Sequence, residues 1–443
     1  MRQVSQCSFS RSAVVLVAFG AAALLARADT ANWPTWRGPE MTGRAADAGL
    51  PVTFGETNNL RWKVATPGQG TSTPVIWGDR LFLLTADRVP AKAPATNAPG
   101  PGPREISAPS GAYRFKVVCL DRHTGRTLWQ KTVREEVPHE GHHPDHGFAS
   151  ASPVTDGHAV WAFFGSRGLH CLTMDGELRW SRDLGQLRTR NSFGEGSSPA
   201  LAGKAIIVVL DQEGASSIAA IDKETGAVLW RQPREEATSW TTPLPVRHGG
   251  KLQVVVSGTR RTRSYAPETG LVLWQCGGQT TNVIPTPVTG FGLVFCTSGF
   301  RGSALQAIDL GRTGELTGTD AVRWEFPRAT PYVPSPLLYG RRLYFFEGTQ
   351  PLLTCLDAET GRAHYTAQRI AGMNSVYASP VGLDGRLYLA GRDGRVAVVK
   401  DSDTFELLAL NKLDDGFDAS PAVAGRDLYL RGKNFVYCIH GDQ

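Results

Sequence analysis

Between Pro138 and Gly147 the chain places His139, Glu140, Gly141, His142, His143, Pro144, Asp145 and His146 in one run. Imidazoles and carboxylates are the ligands of zinc and other borderline metals, so His139, His142, His143 and His146 are candidate metal ligands, with Zn the ion they suit. His139-Glu140 followed by His143 also fits the zinc-protease string H-E-x-x-H, whose chemistry needs both imidazoles on one face of a helix. Pro138, Gly141 and Pro144 oppose a helix there, so the protease reading fails and two remain: a metal site or a hydrogen-bonded polar loop. Gly194-Glu195-Gly196-Ser197 is glycine-rich but precedes a strand rather than a helix, so it builds no phosphate site. No Ser/His/Asp triad stands out.

What positions these residues is a repeat. Ala219–Ile221 and Val228–Trp230 flank the turn Asp222-Lys223-Glu224-Thr225-Gly226, an antiparallel hairpin whose second strand ends on an aromatic residue. Gly226 supplies the positive φ that so tight a turn needs. Versions of the hairpin lead to Trp129, Trp180, Trp274, Trp324 and Tyr365. A second landmark, Ser or Thr before Pro, opens apolar strands at Pro74, Pro153, Pro199, Pro243, Pro287, Pro336, Pro380 and Pro421. The successive spacings of 79, 46, 44, 44, 49, 44 and 41 residues are those of propeller blades, apart from the first. The excess there is 87–112, rich in Pro and Ala, expected as a flexible inserted loop.

The spacing predicts an all-β, eight-bladed β-propeller of four-stranded blades over residues 59–443, behind an N-terminal tail at 29–58. The last blade ends after three strands, while Leu60–Val64 precedes the first landmark as an orphan fourth strand. The N-terminal strand is therefore expected to complete the last blade and close the ring. Trp33 and Trp36 should pin the tail to the body by aromatic burial.

With strands a to d counted outward from the channel, the Thr-Gly turns join c to d on one face. The d-to-a crossings and b–c loops share the other. The histidine run is a d-to-a crossing, and the inserted loop is a b–c loop on the same face. The remaining crossings supply Arg188, Arg190, Asn191, Glu195, Trp240, Asn282, Tyr332, Asn374, Tyr377, Phe417 and Asp418. Of these, Arg190, Asn191, Glu195, Trp240, Asn282, Tyr332, Asn374, Tyr377 and Asp418 are the candidate ligand-binding residues. Arg190 and Glu195 could clamp a polar or anionic ligand at the channel mouth, or could satisfy one another and the crossing backbones.

Eight repeats with Asp-x-x-Thr-Gly-x-x-x-Trp turns over 60–440 resemble the PQQ-like (quinoprotein) propeller superfamily. It holds both pyrroloquinoline-quinone alcohol dehydrogenases and BamB-type assembly proteins. The run Trp33-Pro-x-Trp36-Arg-Gly-Pro39 is similar to that of secreted bacterial members. The resemblance implies two functions. One is a non-catalytic scaffold that binds a protein, glycan or small ligand on the d-to-a face. The alternative is a quinoprotein oxidoreductase of alcohols or sugars, using PQQ with Ca at the channel mouth. The family's enzymes commonly carry an adjacent Cys-Cys pair and a Glu/Asn/Asp calcium trio. No two cysteines are adjacent here and no trio aligns, although Glu195, Asn282 and Asp418 have the right chemistry. No Cys-x-x-Cys-His haem motif is present either.

Arg2 and Arg11, the apolar run Ala13–Leu25 and Ala26-Arg27-Ala28 read as a cleavable signal peptide over 1–28, which implies a periplasmic or secreted protein. The apolar run is short for a membrane span, and no cysteine follows it to take a lipid anchor. Loss of Arg2, Arg11 and Arg27 lowers the formal charge from +6 to +3. With no basic block, nucleic acid is not an expected partner, and a monomer is expected. The cysteines after the signal read as small buried hydrophobes. Cys276 and Cys296 are the one pair worth testing for a disulfide.

Overall fold

A computed structural model describes residues 32–90 and 105–441; the expected signal peptide and the middle of the inserted loop lie outside them. Eight antiparallel sheets form a ring, seven of four strands and one of five, and the described residues contain no α-helix. Blade 1 comprises Val75–Trp77, Arg80–Arg88, Tyr113–Asp121 and Thr127–Glu136. Blades 2 to 7 follow in chain order. Blade 8 takes Ala422–Ala424, Asp427–Arg431 and Phe435–His440, then borrows Leu60–Ala65 as its outer strand. That strand pairs Leu60 with Ile439, Trp62 with Cys438 and Ala65 with Phe435, so the ring closes as the orphan strand implied. The fifth strand of blade 4, Gly314–Glu315, is a parallel addition to Val272–Cys276. In blade 1 the ladder continues through Asp87 and Arg88, paired with Arg114 and Tyr113.

Tryptophans join neighbouring blades. Trp62, Trp129, Trp180, Trp230 and Trp324 each lie against the turn glycine of the next blade, Gly125, Gly176, Gly226, Gly270 and Gly361. At Gly226 a Cβ would sit 2.7 Å from the Trp180 ring, and φ is +70°. The turn thus needs glycine both for its left-handed backbone and for the indole's approach. Nε1 of Trp62, Trp129, Trp230 and Trp324 donates to a carbonyl of the next blade at 2.8–3.1 Å. Each contact adds roughly 1.5–3 kcal/mol of apolar burial to a seam between blades.

The Ser/Thr-Pro landmarks are a second belt, at the inner rim. The amide of Thr73 donates to Ser152 Oγ, Ser152 to Ser198, Ser198 to Thr242 and Thr242 to Thr286. Thr286 continues to Ser335, Ser335 to Ser379 and Ser379 to Ser420, all seven links at 2.9–3.1 Å. Proline at the next position has no N–H of its own and holds the preceding Ser or Thr extended, so the ladder begins beyond it and the preceding amide bonds the neighbouring hydroxyl.

The N-terminal segment plugs the channel. Asn32 Oδ1 accepts from Gly78 N at the a–b turn of blade 1, and Trp33 bridges Ile76 through main-chain bonds of 2.9 and 2.8 Å. Pro34 O then accepts from Thr155 of blade 2. Trp36 reaches the hydroxyl belt, donating to Ser420 Oγ at 3.3 Å. Arg37, 1% exposed, extends to Pro380 O (2.8 Å) and Pro336 O (2.9 Å) of blades 7 and 6. The chain then returns past Gly382 and leaves over the Asp384 turn of blade 7, which accepts from the amides of Ala48 and Leu50. The tail is therefore an internal stopper. Burial lowers Arg37 to about 9, still protonated at neutral pH, with carbonyl oxygens as its solvation.

The six cysteines among the described residues are all buried and free, Cys276 and Cys296 included. Burial raises the Cys119 thiol to about 12, which makes it inert packing.

Candidate functional site

Above Trp36, on the d-to-a face, lies a cavity of ≈ 230 Å³. Its wall includes the belt residues Thr73, Ser152, Ser198 and Ser420. Aromatic lining comes from Trp36, Phe193, Trp240, Tyr332 and Tyr377, and the rim from His143, Asp145, His146 and Asp418. The plug makes the channel a cup open toward the crossings alone.

The histidine run is a strap reaching across this cup. Its main chain is fixed by His143 N donating to Phe193 O at 2.8 Å. Asp145 then reaches blade 7 and its flanking crossing. Tyr377 Oη donates to Asp145 Oδ2 at 2.8 Å, and Arg392 Nη2 to Oδ1 at 2.7 Å. Arg392 Nε holds Asp418 at 2.6 Å, and its guanidinium lies 4.1 Å from the centre of the Tyr377 ring. Burial acts to raise the Asp145 carboxyl, but the bonds from Arg392 and Tyr377 outweigh it and hold it below its ordinary range. At Asp418 burial prevails over Arg392 and Lys433, and the carboxyl is raised. Burial, then the bond to Asp145, pushes the Tyr377 phenol up to about 12.

The four histidines do not converge. His142 and His146 rings are 5.9 Å apart, and His143 and His146 are stacked at 6.3 Å. His142 Nδ1 faces His143 O, while His146 Nδ1 faces Gly147 O and Ser150 Oγ. His139 turns away and meets Leu187 O through Nε2 at 2.7 Å. Among the described residues, the group whose ligand atoms lie within 4.8 Å of one another is His139, Glu140 and Glu195. That group already holds a cation. Arg167 Nη1 bonds Glu195 at 3.1 Å, Nη2 meets His139 Nδ1 at 3.4 Å, and Nε is 3.4 Å from Glu136. Its guanidinium sits 5.6 Å from the Phe115 ring centre and 5.5 Å from that of Phe148. Glu195 also accepts from the Ser166 amide (2.5 Å) and hydroxyl (2.6 Å). Burial raises Glu195 against the pull of Arg167, and raises Glu140 against its bonds from Thr189. A metal ion here would have to displace a buried guanidinium that already supplies positive charge to Glu195.

His146 and Ser150 look like a base and a nucleophile, 3.0 Å apart in the cup. Ser150 Oγ, however, donates to Gly147 O, and no carboxylate orients the imidazole. Burial holds His146 down to about 4, so it is neutral at physiological pH.

The other candidates divide. Trp240, Tyr332, Tyr377 and Asp418 line the cup. The Trp240 N–H is taken by Gly194 O at 2.7 Å, and Tyr332 stacks on Phe300 at 4.9 Å. Arg190 and Asn191 stand beside it in a short 3-10 turn, where Asn191 O accepts from Ile106 of the inserted loop. Asn282 is buried, with Oδ1 unpartnered. Glu195 pairs with Arg167 behind the cup rather than with Arg190. Asn374 is exposed outside it, and Phe417 is core. Sequence reasoning missed Trp36, Thr73, Arg167 and Arg392. Arg392 had a findable signal, since Gly391-Arg392-Asp393-Gly394 is a b–c loop on the candidate face.

Pyrroloquinoline quinone carries three carboxylates, and calcium needs six to eight oxygens. No Lys or Arg is among the residues lining the cup. Both Asp145 oxygens and Asp418 Oδ1 are engaged by Arg392 and Tyr377. The residues present do not fit that pair.

Residues 114–216 and 214–442 match the family described as outer membrane protein assembly factor BamB. No curated protein matches the sequence. Among solved structures, BamB from Moraxella catarrhalis is 13% identical with TM-score 0.54, covering 86% of this chain and 99% of that one. Quinohemoprotein alcohol dehydrogenase from Comamonas testosteroni is 11% identical with TM-score 0.58, covering 96% and 83%. The computationally designed Ika8 protein is 12% identical with TM-score 0.56, covering 88% and 100%. At such identities the likeness is one of fold.

Proposed function

The chain belongs to the PQQ-like propeller family that the BamB description names, and from that premise we propose an exported, non-catalytic scaffold that seats a small ligand in the strapped cup. The carrying observation is the cup itself: stopped below by the chain's own Trp36 and latched above by Asp145. A seat closed at one end and spanned at the other encloses most of a ligand's surface, as binding sites do. Export rests on the signal-like residues 1–28. No helix among the described residues is long and apolar enough to cross a membrane.

The oxidoreductase alternative asks the cup to hold a tri-anionic quinone beside a calcium ion. No Lys or Arg is in its lining, and of the Asp145 and Asp418 oxygens only Asp418 Oδ2, 3.8 Å from Lys433, makes no hydrogen bond, far short of the six to eight oxygens calcium takes. The test is to incubate the mature protein with PQQ and Ca²⁺, then record bound-quinone absorption and dye-linked alcohol oxidation. The scaffold reading expects neither. Stoichiometric uptake with turnover would overturn it.

A further inference from the structure

Arg190 is a charged side chain at the mouth of the cup that the fold does not use. Its main chain is held from several sides. Arg190 N donates to Thr238 Oγ1 at 3.0 Å, and Arg190 O accepts from Phe193 N at 3.0 Å. The preceding Thr189 donates its hydroxyl to Glu140 of the strap at 2.5 Å. Asn191 and Ser192 follow with φ of 52° and 54°, two left-handed non-glycine residues in succession, a strain of the kind kept at functional sites. The half-buried guanidinium itself makes no hydrogen bond or ion pair among the described residues, and none of its nitrogens is an enclosed, unpartnered atom, so they are open to solvent. A cation placed this firmly, accessible and without an internal partner, points to an anion that comes and goes.

Its charge reaches the cup. Arg190 belongs to the crossing between blades 2 and 3, and Tyr332, which lines the cup, to the crossing between blades 5 and 6. Burial raises the Tyr332 phenol, while Asn282 and then the positive charge of Arg190 pull it down, so the guanidinium stands within Coulomb reach of a residue on another wall. Arg301 adds positive charge to the same sector, 5.3 Å from the Phe300 ring on which Tyr332 stacks. The other charges of the rim cancel, with Asp145 and Asp418 set against Arg392 and Lys433. Below the rim the walls are rings whose polar atoms are spent. The N–H groups of Trp36 and Trp240 go to Ser420 and Gly194, and the Tyr377 hydroxyl to Asp145. The ≈ 230 Å³ of the cup falls below the ~300–1,000 Å³ of sites for drug-sized ligands, which suits one small ring.

We propose that the cup binds a single-ring arylcarboxylic acid as its monoanion, the ring between the aromatic walls and the carboxylate on Arg190. A planar carboxylate matches the guanidinium fork in a bidentate pair, and one negative charge balances the one unpaired cation at the mouth. A phosphate monoester, at about −1.5 to −2, overshoots that charge, and a tri-anionic quinone overshoots both charge and volume. Walls that offer ring surface without free donors favour an aromatic body over a hydroxylated one. This rests on the reading of the cup as a ligand seat.

The test is ligand-observed NMR titration of the full purified chain. The probes are benzoate and phenylacetate, benzamide and phenylacetamide as their neutral isosteres, benzylamine as cation and phenyl phosphate as the heavier anion. Wild type is compared with Arg190→Gln, Arg190→Lys and Trp240→Ala. At least one of the two acids should bind, with its amide and benzylamine at least about tenfold weaker and phenyl phosphate weaker than the acid. Arg190→Gln should weaken the acid roughly ten- to a hundredfold, the effect of one charged contact, and leave the amide unchanged. Arg190→Lys should recover part of the loss, and Trp240→Ala should weaken acid and amide alike. Binding of neither acid, equal binding of acid and amide, or acid binding untouched by Arg190→Gln overturns the proposal. If Arg190→Gln does not fold, the ranking of acid against amide on wild type still decides. Equal binding of acid and amide that Trp240→Ala abolishes would sink the carboxylate while leaving the seat. No binding of any probe, with no organic mass co-purifying, would remove the seat as well.

Discussion

Replacing Arg392 with Met should release the strap. The guanidinium binds Asp418 at 2.6 Å and Asp145 at 2.7 Å, and stacks on Tyr377 at 4.1 Å. Met keeps an apolar stem against Tyr377 but removes both ion pairs. Asp418, with 7% of its side chain exposed, is then left with Lys433 at 3.8 Å. Breaking a fully buried pair costs about 3–5 kcal/mol, and an exposed pair is worth less than ~1 kcal/mol. One buried and one half-exposed carboxylate place the loss at about 2–4 kcal/mol. Much of it should be local, because Arg392 joins the strap to blade 7 without holding any ladder. At ~1.4 kcal/mol per tenfold, amide exchange over 139–147 should then rise by roughly 10- to 100-fold. Hydrogen–deuterium exchange by mass spectrometry reads this directly, with the 222–226 turn as control. An unchanged strap, or equal deprotection of that turn, would refute the latch.

Four further outcomes follow from contacts elsewhere in the ring. Gly226→Ala forces a Cβ to 2.7 Å from the Trp180 ring at φ +70°, so chemical denaturation should show a loss of about 2–5 kcal/mol; Trp230→Ala should lose ~3–5 kcal/mol with little effect on cup binding in the folded fraction. Burial holds His170 and His146 at about 4, below their unfolded value, so the unfolded chain binds more protons between. Stability should therefore fall as pH drops from about 6.5 to 4, by up to about 3 kcal/mol from His170 alone, and urea titrations across that window check it. Zinc added to chelator-treated protein should leave the melting temperature unchanged, because Arg167 already fills the His139–Glu195 cluster, and calorimetric binding at one equivalent would contradict that.

The ring was legible because its signals repeat. Trp230 and Gly270 are one instance of a contact found at five seams, and Ser198-Pro199 one of eight landmarks. The borrowed strand around Trp62 could be inferred because blade 8 would otherwise lack an outer strand. The site was harder to see because its contacts are made once. Asp145 and Arg392 lie 247 residues apart and meet only because the strap reaches across the mouth. Glu195 was paired in sequence with nearby Arg190, but its partner is Arg167, positioned by the 3-10 turn at Gly165–Arg167. Trp36 read as an aromatic anchor of the tail on the body, and no local signal says that a tail enters the channel. The histidines were conspicuous by density alone, and density does not direct ring nitrogens to one point.

The central claim is that a small, non-quinone ligand sits in the cup. Native mass spectrometry of the protein purified from its native host tests it most directly, with Trp240→Ala prepared in parallel. The expected result is a bound organic mass on wild type, absent from the variant, with neither PQQ nor calcium. A quinone-plus-calcium mass, or the same adduct on both proteins, would contradict it.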